Sequence, residues 1–224
     1  IINETGSYFF DGIDDRIDLS SSSDFNFGND NFTMECWVYL TNYPDSVPNN
    51  YYQSGLVIKD ESNREFIFKL LGTQSSYTGV NFLGFINNGS YQNIDASYSF
   101  NLNTWYHIAC VRNGSNLRFY VNGVDIGGTN SWTTTIQATT AGIGIGGYTA
   151  YYANQGYASC LPGYMSNLRI VKGTALYTSN FIPPSEPLKD ITNTKLLLNA
   201  TNEGIKDLTG NFVVHTNGNA KVET

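Results

Sequence analysis

The sequence predicts an all-β sandwich, and three observations carry that prediction. Short runs that alternate apolar and polar residues recur along the chain. Asn-Gly pairs punctuate them, and both residues tolerate the positive φ of a tight hairpin. No segment shows a helical period framed by caps.

The elements follow in order. Tyr8–Phe10 and Ile17–Leu19 are expected to be the first strands. In Phe32–Leu40, residues Phe32, Met34, Cys36, Val38 and Leu40 share one face, while Thr33, Glu35, Trp37 and Tyr39 share the other. Further strands are expected at Leu56–Lys59 and Glu65–Leu71, then at Val80–Asn87 and Ser90–Asp95, joined through Asn88-Gly89. Trp105–Arg112 is apolar on both faces, the pattern of a covered central strand. Asn113-Gly114 turns the chain into Leu117–Val121, and Asn122-Gly123 turns it again into Val124–Gly127, so this block is a β-meander. Gly142–Gly146, Met165–Val171 and Lys195–Asn199 complete the expected set. The glycines of Gly142–Gly147 lack the following helix and Lys-Ser/Thr pair of a phosphate loop, and read as a strand in close backbone contact.

The 224 residues are enough to bury a large core in one domain, and no linker divides them. Only 14% of residues are charged and the net charge is −7. With no cluster of Lys and Arg to neutralise phosphates, nucleic acid is not an expected partner. No apolar run approaches the ~20 residues of a membrane helix, so no membrane insertion is expected. The chain opens on Ile1 without a charged-then-apolar leader, and is expected to be a processed product or a piece of something longer. Cys36, Cys110 and Cys160 form no CxxC pair. Cys36 and Cys110 read as small core hydrophobes, or as a bridge if their strands are neighbours. Five N-x-Ser/Thr sequons begin at Asn3, Asn31, Asn88, Asn113 and Asn199, and matter only on a eukaryotic secretory route.

Several stretches resemble a known family. Tyr8–Ile17, with Phe10-Asp11-Gly12 and Asp14-Asp15, resembles the opening of laminin-G-like domains of the concanavalin A-like lectin/glucanase superfamily. Phe32–Val38, Trp105–Arg112, Leu117–Gly123 and Gly163–Ile170 resemble further strands of that family, in family order. Gly173–Pro184 resembles a phrase frequent in bacteriophage structural proteins. The resemblance implies a jelly-roll β-sandwich of two antiparallel sheets, a fold that pairs its edges. Residues 195–220 resemble the way such domains begin. One laminin-G-like domain over 1–224 is therefore expected, with 194–224 either the opening of a following repeat or a permuted terminal strand region.

The chemistry points to binding rather than catalysis. Related glucanases place two carboxylates close together on one strand, and no such run appears. Glu35 stands alone on its strand and Asp60-Glu61 has no third partner, so these read as solvated or structural carboxylates. His107 and His215 have no nucleophile elbow beside them, and His107 reads as a satisfied sheet residue. Asp11, Asp14 and Asp15 offer hard oxygen ligands beside a Gly turn, which suits a structural calcium; simple turn shaping is the other reading. In the family an Asp usually precedes the strand that here begins after Ser166-Asn167, which weakens the calcium expectation.

The expected ligand site is the loop with Tyr148, Tyr151, Tyr152, Asn154, Gln155 and Tyr157, where aromatic faces and amides stand together. Packing against neighbouring subunits is its alternative role. Tyr43–Gln53, with Tyr51 and Tyr52, reads as a second polar-aromatic loop. The expected function is a non-enzymatic carbohydrate- or receptor-binding module of a phage-like virion, a tail fibre or adhesin. It would be extracellular, at the virion surface, with a cell-surface glycan or neighbouring virion subunits as partners in a larger or oligomeric assembly. A structural unit such as a capsid decoration or fibre-shaft protein is the alternative, and a glycoside hydrolase the minor one.

Overall fold

A computed structural model describes residues 6–44, 46–47, 51–60, 64–86, 90–128, 130–149, 159–201 and 203–223. In chain order the strands are β1 (Ser7–Asp11), β2 (Arg16–Leu19), β3 (Phe32–Leu40), β4 (Ser46–Val47), β5 (Tyr51–Asp60), β6 (Arg64–Thr73), β7 (Ser76–Phe85), β8 (Tyr91–Phe100) and β9 (Trp105–Asn113). There follow β10 (Asn116–Val121), β11 (Val124–Asp125), β12 (Asn130–Ser131), β13 (Ile143–Ile145), β14 (Pro162–Lys172), β15 (Thr194–Thr201), β16 (Gly204–Asp207), β17 (His215–Asn217) and β18 (Lys221–Glu223). One turn of 3-10 helix, Ser23–Phe25, is capped by the Ser22 hydroxyl.

The strands form two antiparallel sheets, the jelly-roll sandwich that the motifs imply. The first runs β11-β10-β9-β3-β14-β1-β18, with β15 and β16 continuing from β14 and β12 beside β10. The second runs β17-β2-β13-β5-β6-β7-β8, with β4 beside β5. β14 is bulged between Ser166 and Arg169, where Asn167 takes a positive φ of 52°. Its first half pairs with β1 and its second half with β15. Residues 194–223 thus supply β15, β16 and β18 to one sheet and β17 to the other.

The alternation of β3 does the sorting. Phe32, Met34, Cys36, Val38 and Leu40 are buried between the sheets. They meet Phe66, Phe68, Leu70, Val80 and Phe82 of the second sheet in one core. Phe32 bridges the layers, 4.5 Å from Phe27 and 5.5 Å from Phe82 by ring centroids. Burial of each such side chain stabilises by about 1.5–3 kcal/mol. Asn122 and Gly123 both take positive φ, 49° and 76°, making the expected tight hairpin between β10 and β11. Asn88-Gly89 lies outside the described residues. Gly144 in β13 has the Gly147 carbonyl where a Cβ would stand, as the close-approach reading requires.

Three expectations need correction. Tyr43–Gln53 is not a loop throughout, because Tyr51 opens β5 and Gln53 is buried within it. Of the two readings of Cys36 and Cys110 the bridge falls and the small core hydrophobes stand: Cys36 lies opposite Ile108 and Cys110 opposite Met34, and all three cysteines are free and buried. β9 is not covered along its whole outer face. Residues 173–193 form a strap that packs Ala175, Tyr177 and Phe181 over Ala109, Val111 and Tyr120, and Trp105 at the other end stays partly exposed.

Candidate binding sites

The outer face of the first sheet is divided in two, and both halves follow from strand parity. Residues of β3 and β9 that alternate with the core must point outward. Under the strap these include Glu35 and His107. Trp37 stands next, its ring 5.3 Å from that of His107, and beyond the strap are Tyr39 and Trp105.

Under the strap the chain assembles a buried polar network. Glu35 Oε1 accepts from Arg169 Nε at 2.9 Å and Nη2 at 2.6 Å. Its Oε2 accepts from the Tyr177 hydroxyl at 2.8 Å and lies 3.0 Å from His107 Nε2. Glu35 and His107 have no exposed surface. Burial pushes the Glu35 carboxyl up, but the hydrogen bond from His107 and the Arg169 charge outweigh it and hold the group below its ordinary range. Burial, and then the Glu35 charge, push the Tyr177 hydroxyl well up. Tyr177 and Phe181 stack 3.6 Å apart and close over His107 edge-on. Glu35 is therefore a structural carboxylate that fastens the strap. His107 meets the sheet-residue reading through Nε2, while its Nδ1 is buried without a partner among the described residues.

Beyond the strap an aromatic row crosses four neighbouring strands. Phe9 of β1 lies opposite Tyr164 of β14, Tyr164 opposite Tyr39 of β3, and Tyr39 opposite Trp105 of β9. Successive ring centroids are 5.1, 5.8 and 5.4 Å apart, inclined at 55°, 72° and 50°. All four rings are partly exposed. A depression of about 430 Å³ lies here, lined by Ser7, Tyr39, Thr41, Asn103, Trp105 and Tyr164. That is within the ~300–1,000 Å³ of small-molecule sites. Its polar side-chain groups are hydroxyls, an amide and the Trp105 indole N–H. Another depression, lined by Asn26, Gln137, Ala138, Thr139 and Thr140, has no aromatic side chain among its described lining residues.

The sequence-derived site residues fall elsewhere. Tyr148 lies on the outer face of the second sheet, 8% exposed, packed with Ile58, Ile67 and Phe85. Tyr151, Tyr152, Asn154, Gln155 and Tyr157 lie outside the described residues. Sequence reasoning passed over the row because each of its members is a single aromatic on a different strand. The available signal was parity: Phe9, Tyr39, Trp105 and Tyr164 all alternate with core residues.

Asp11, Asp14 and Asp15 do come together. One carboxylate oxygen of each lies within 4.8 Å of the others, so the cluster can coordinate a divalent cation. Asp11 Oδ1 also accepts from the Ile13 and Asp14 amides, and Asp15 accepts from those of Asp11 and Asn219. Burial, with Asp11 and Asp14 alongside, raises the Asp15 carboxyl above its usual range.

Comparison with known proteins identifies the family of the fold. A family model described as the concanavalin A-like lectin/glucanases superfamily, of laminin-G type, matches residues 11–176. The chain belongs to that superfamily. Among solved structures it is similar to a candidate carbohydrate-binding protein of Bacteroides ovatus, at 17% identity and a TM-score of 0.72 over 98% of this chain. The match spans 60% of that protein's length. It is also similar to domain 4 of AbnA, an extracellular arabinanase of Geobacillus stearothermophilus, in complex with arabinotriose. There the identity is 15% and the TM-score 0.50, covering 75% of this chain and 71% of the other. No curated protein matches the sequence. Among the described residues no helix is long and apolar enough to cross a membrane.

Proposed function

We propose that the domain is a non-enzymatic binding module that holds a cell-surface glycan, working outside the cell as part of a phage-like virion. The observation that carries this reading is the exposed aromatic row beside a depression lined by neutral side chains. Aromatic faces stack on the C–H surfaces of sugars, while neighbouring hydroxyls and amides serve the sugar hydroxyls. The fold hosts many functions, so the site and not the architecture bears the argument. The AbnA domain of similar fold is in complex with arabinotriose, a ligand of the same class. Glu35, buried and engaged on both oxygens, is not poised to exchange a proton with a ligand. The virion setting rests on the Gly173–Pro184 phrase, which forms the strap. Calcium is the cation whose oxygen preference suits Asp11, Asp14 and Asp15.

A glycan array probed with the wild type and with Trp105→Ala tests the proposal. Binding that Trp105→Ala abolishes supports it. An array without hits, together with unchanged host adsorption by virions carrying Trp105→Ala, refutes it. A stable oligomer in light scattering that Trp105→Ala dissolves would favour a subunit interface instead.

A further inference from the structure

We infer that the aromatic row takes an extended, uncharged glycan chain laid across the strands, and reads an internal stretch of it rather than its end. This rests on the glycan-binding reading above and specifies its ligand.

Direction comes from register. The four rings are the directly paired residues of β1, β14, β3 and β9, so the row runs perpendicular to the strands. Its centroid steps of 5.1–5.8 Å are close to the length of one sugar ring, which matches one sugar to each aromatic side chain.

Corrugation excludes a flat partner. Neighbouring rings are inclined by 50–72°, so the row presents troughs and ridges. A single soluble chain with its own puckered rings can settle into that relief, and a crystalline polysaccharide surface cannot.

The ends of the row are open. Among the described residues no strand continues it beyond Trp105, because β10 ends with Val121 opposite Ile108. At the Phe9 end the neighbour is Lys221 of the three-residue strand β18, whose side chain is exposed and paired with Glu223 at 2.7 Å. A trough without an end wall lets the chain pass through.

Charge selects against acidic sugars. Ser7, Thr41 and Asn103 on the rim are neutral, and the two charges opposite Ser7 and Phe9 on the same face, Glu223 and Lys221, pair with each other at 2.7 Å and offset one another. Along β1, Asp11 stands two residues from Phe9 on the same side of the strand, with Asp14 within reach of it. A chain of uronates or sialic acids would meet like charge there, in a protein of net charge −7.

The test is calorimetry with linear neutral oligosaccharides, gluco-, manno- and galacto-configured, from disaccharide to hexasaccharide, beside polygalacturonate fragments of the same lengths. Affinity should climb to about the tetrasaccharide and then level off, and the acidic series should bind at least about tenfold more weakly. Trp105→Ala and Phe9→Ser, at opposite ends of the row, should each weaken the tetrasaccharide about tenfold and the disaccharide less. Thr41→Val, which keeps the fold and removes one rim hydroxyl, should cost severalfold. A disaccharide that binds as tightly as a hexasaccharide overturns the inference, as does preference for the acidic series or indifference to Trp105→Ala in a wild type that binds. A wild type that binds none of these probes and no glycan on the array instead overturns the functional reading itself.

Discussion

Replacing Glu35 with Ala removes the acceptor for four hydrogen bonds, two from Arg169 and one each from His107 and Tyr177. Arg169 keeps one further bond, to the Lys189 carbonyl. Its side chain is 8% exposed, so its charge would remain out of water with no counterion. Breaking a buried pair from one side costs about 3–5 kcal/mol. That is a large share of the roughly 5–15 kcal/mol that stabilises a domain. For a chain of this length each kcal/mol lowers Tm by about 2–4 °C, so Tm should fall by about 6–20 °C. Chemical denaturation measures the loss. Hydrogen exchange locates it, with amides of residues 173–193 losing protection first. The double variant Glu35→Leu/Arg169→Met should recover most of the stability, because no unpaired charge is left behind. A loss below about 1 kcal/mol for Glu35→Ala, with the strap still protected, would refute the view that this network fastens the strap.

Three further outcomes follow from the same structure. The folded Glu35 carboxyl titrates below its unfolded value, so its contribution is complete above the ordinary Glu range near pH ~4.3 and is lost as pH falls through the lower folded value; the stability gap between wild type and Glu35→Ala should therefore shrink on acidification, and a constant gap down to pH ~2 would contradict this. Calcium at 100 times its Kd should raise stability by about 2.7 kcal/mol, an effect that Asp14→Asn removes; equal melting curves in calcium and in chelator would show that the carboxylates only shape the turn. Gly123 has a φ of +76°, and a Cβ there would collide with the Phe181 carbonyl, so Gly123→Ala should cost at least about 2 kcal/mol and loosen the strap, as urea denaturation would read.

The division between what was legible and what was not follows distance along the chain. Strand parity is local, so the order of residues assigns which face of Phe32–Leu40 enters the core and where Asn122-Gly123 must turn. The motif order determined the jelly roll and the superfamily. Strands of two to four residues, such as β12, β16, β17 and β18, carry too little alternation to be read; they exist because a neighbouring strand holds them. Glu35 looked solitary because its partners lie 72, 134 and 142 residues away. The aromatic row is invisible for the same reason. Each ring's outward direction is written in its own strand, but their alignment depends on register across four strands. A slip of one residue in any of them would turn its ring into the core. The tertiary structure alone decided that alignment, and it alone decided that the strap covers Ala109 and Val111 while leaving Trp105 open.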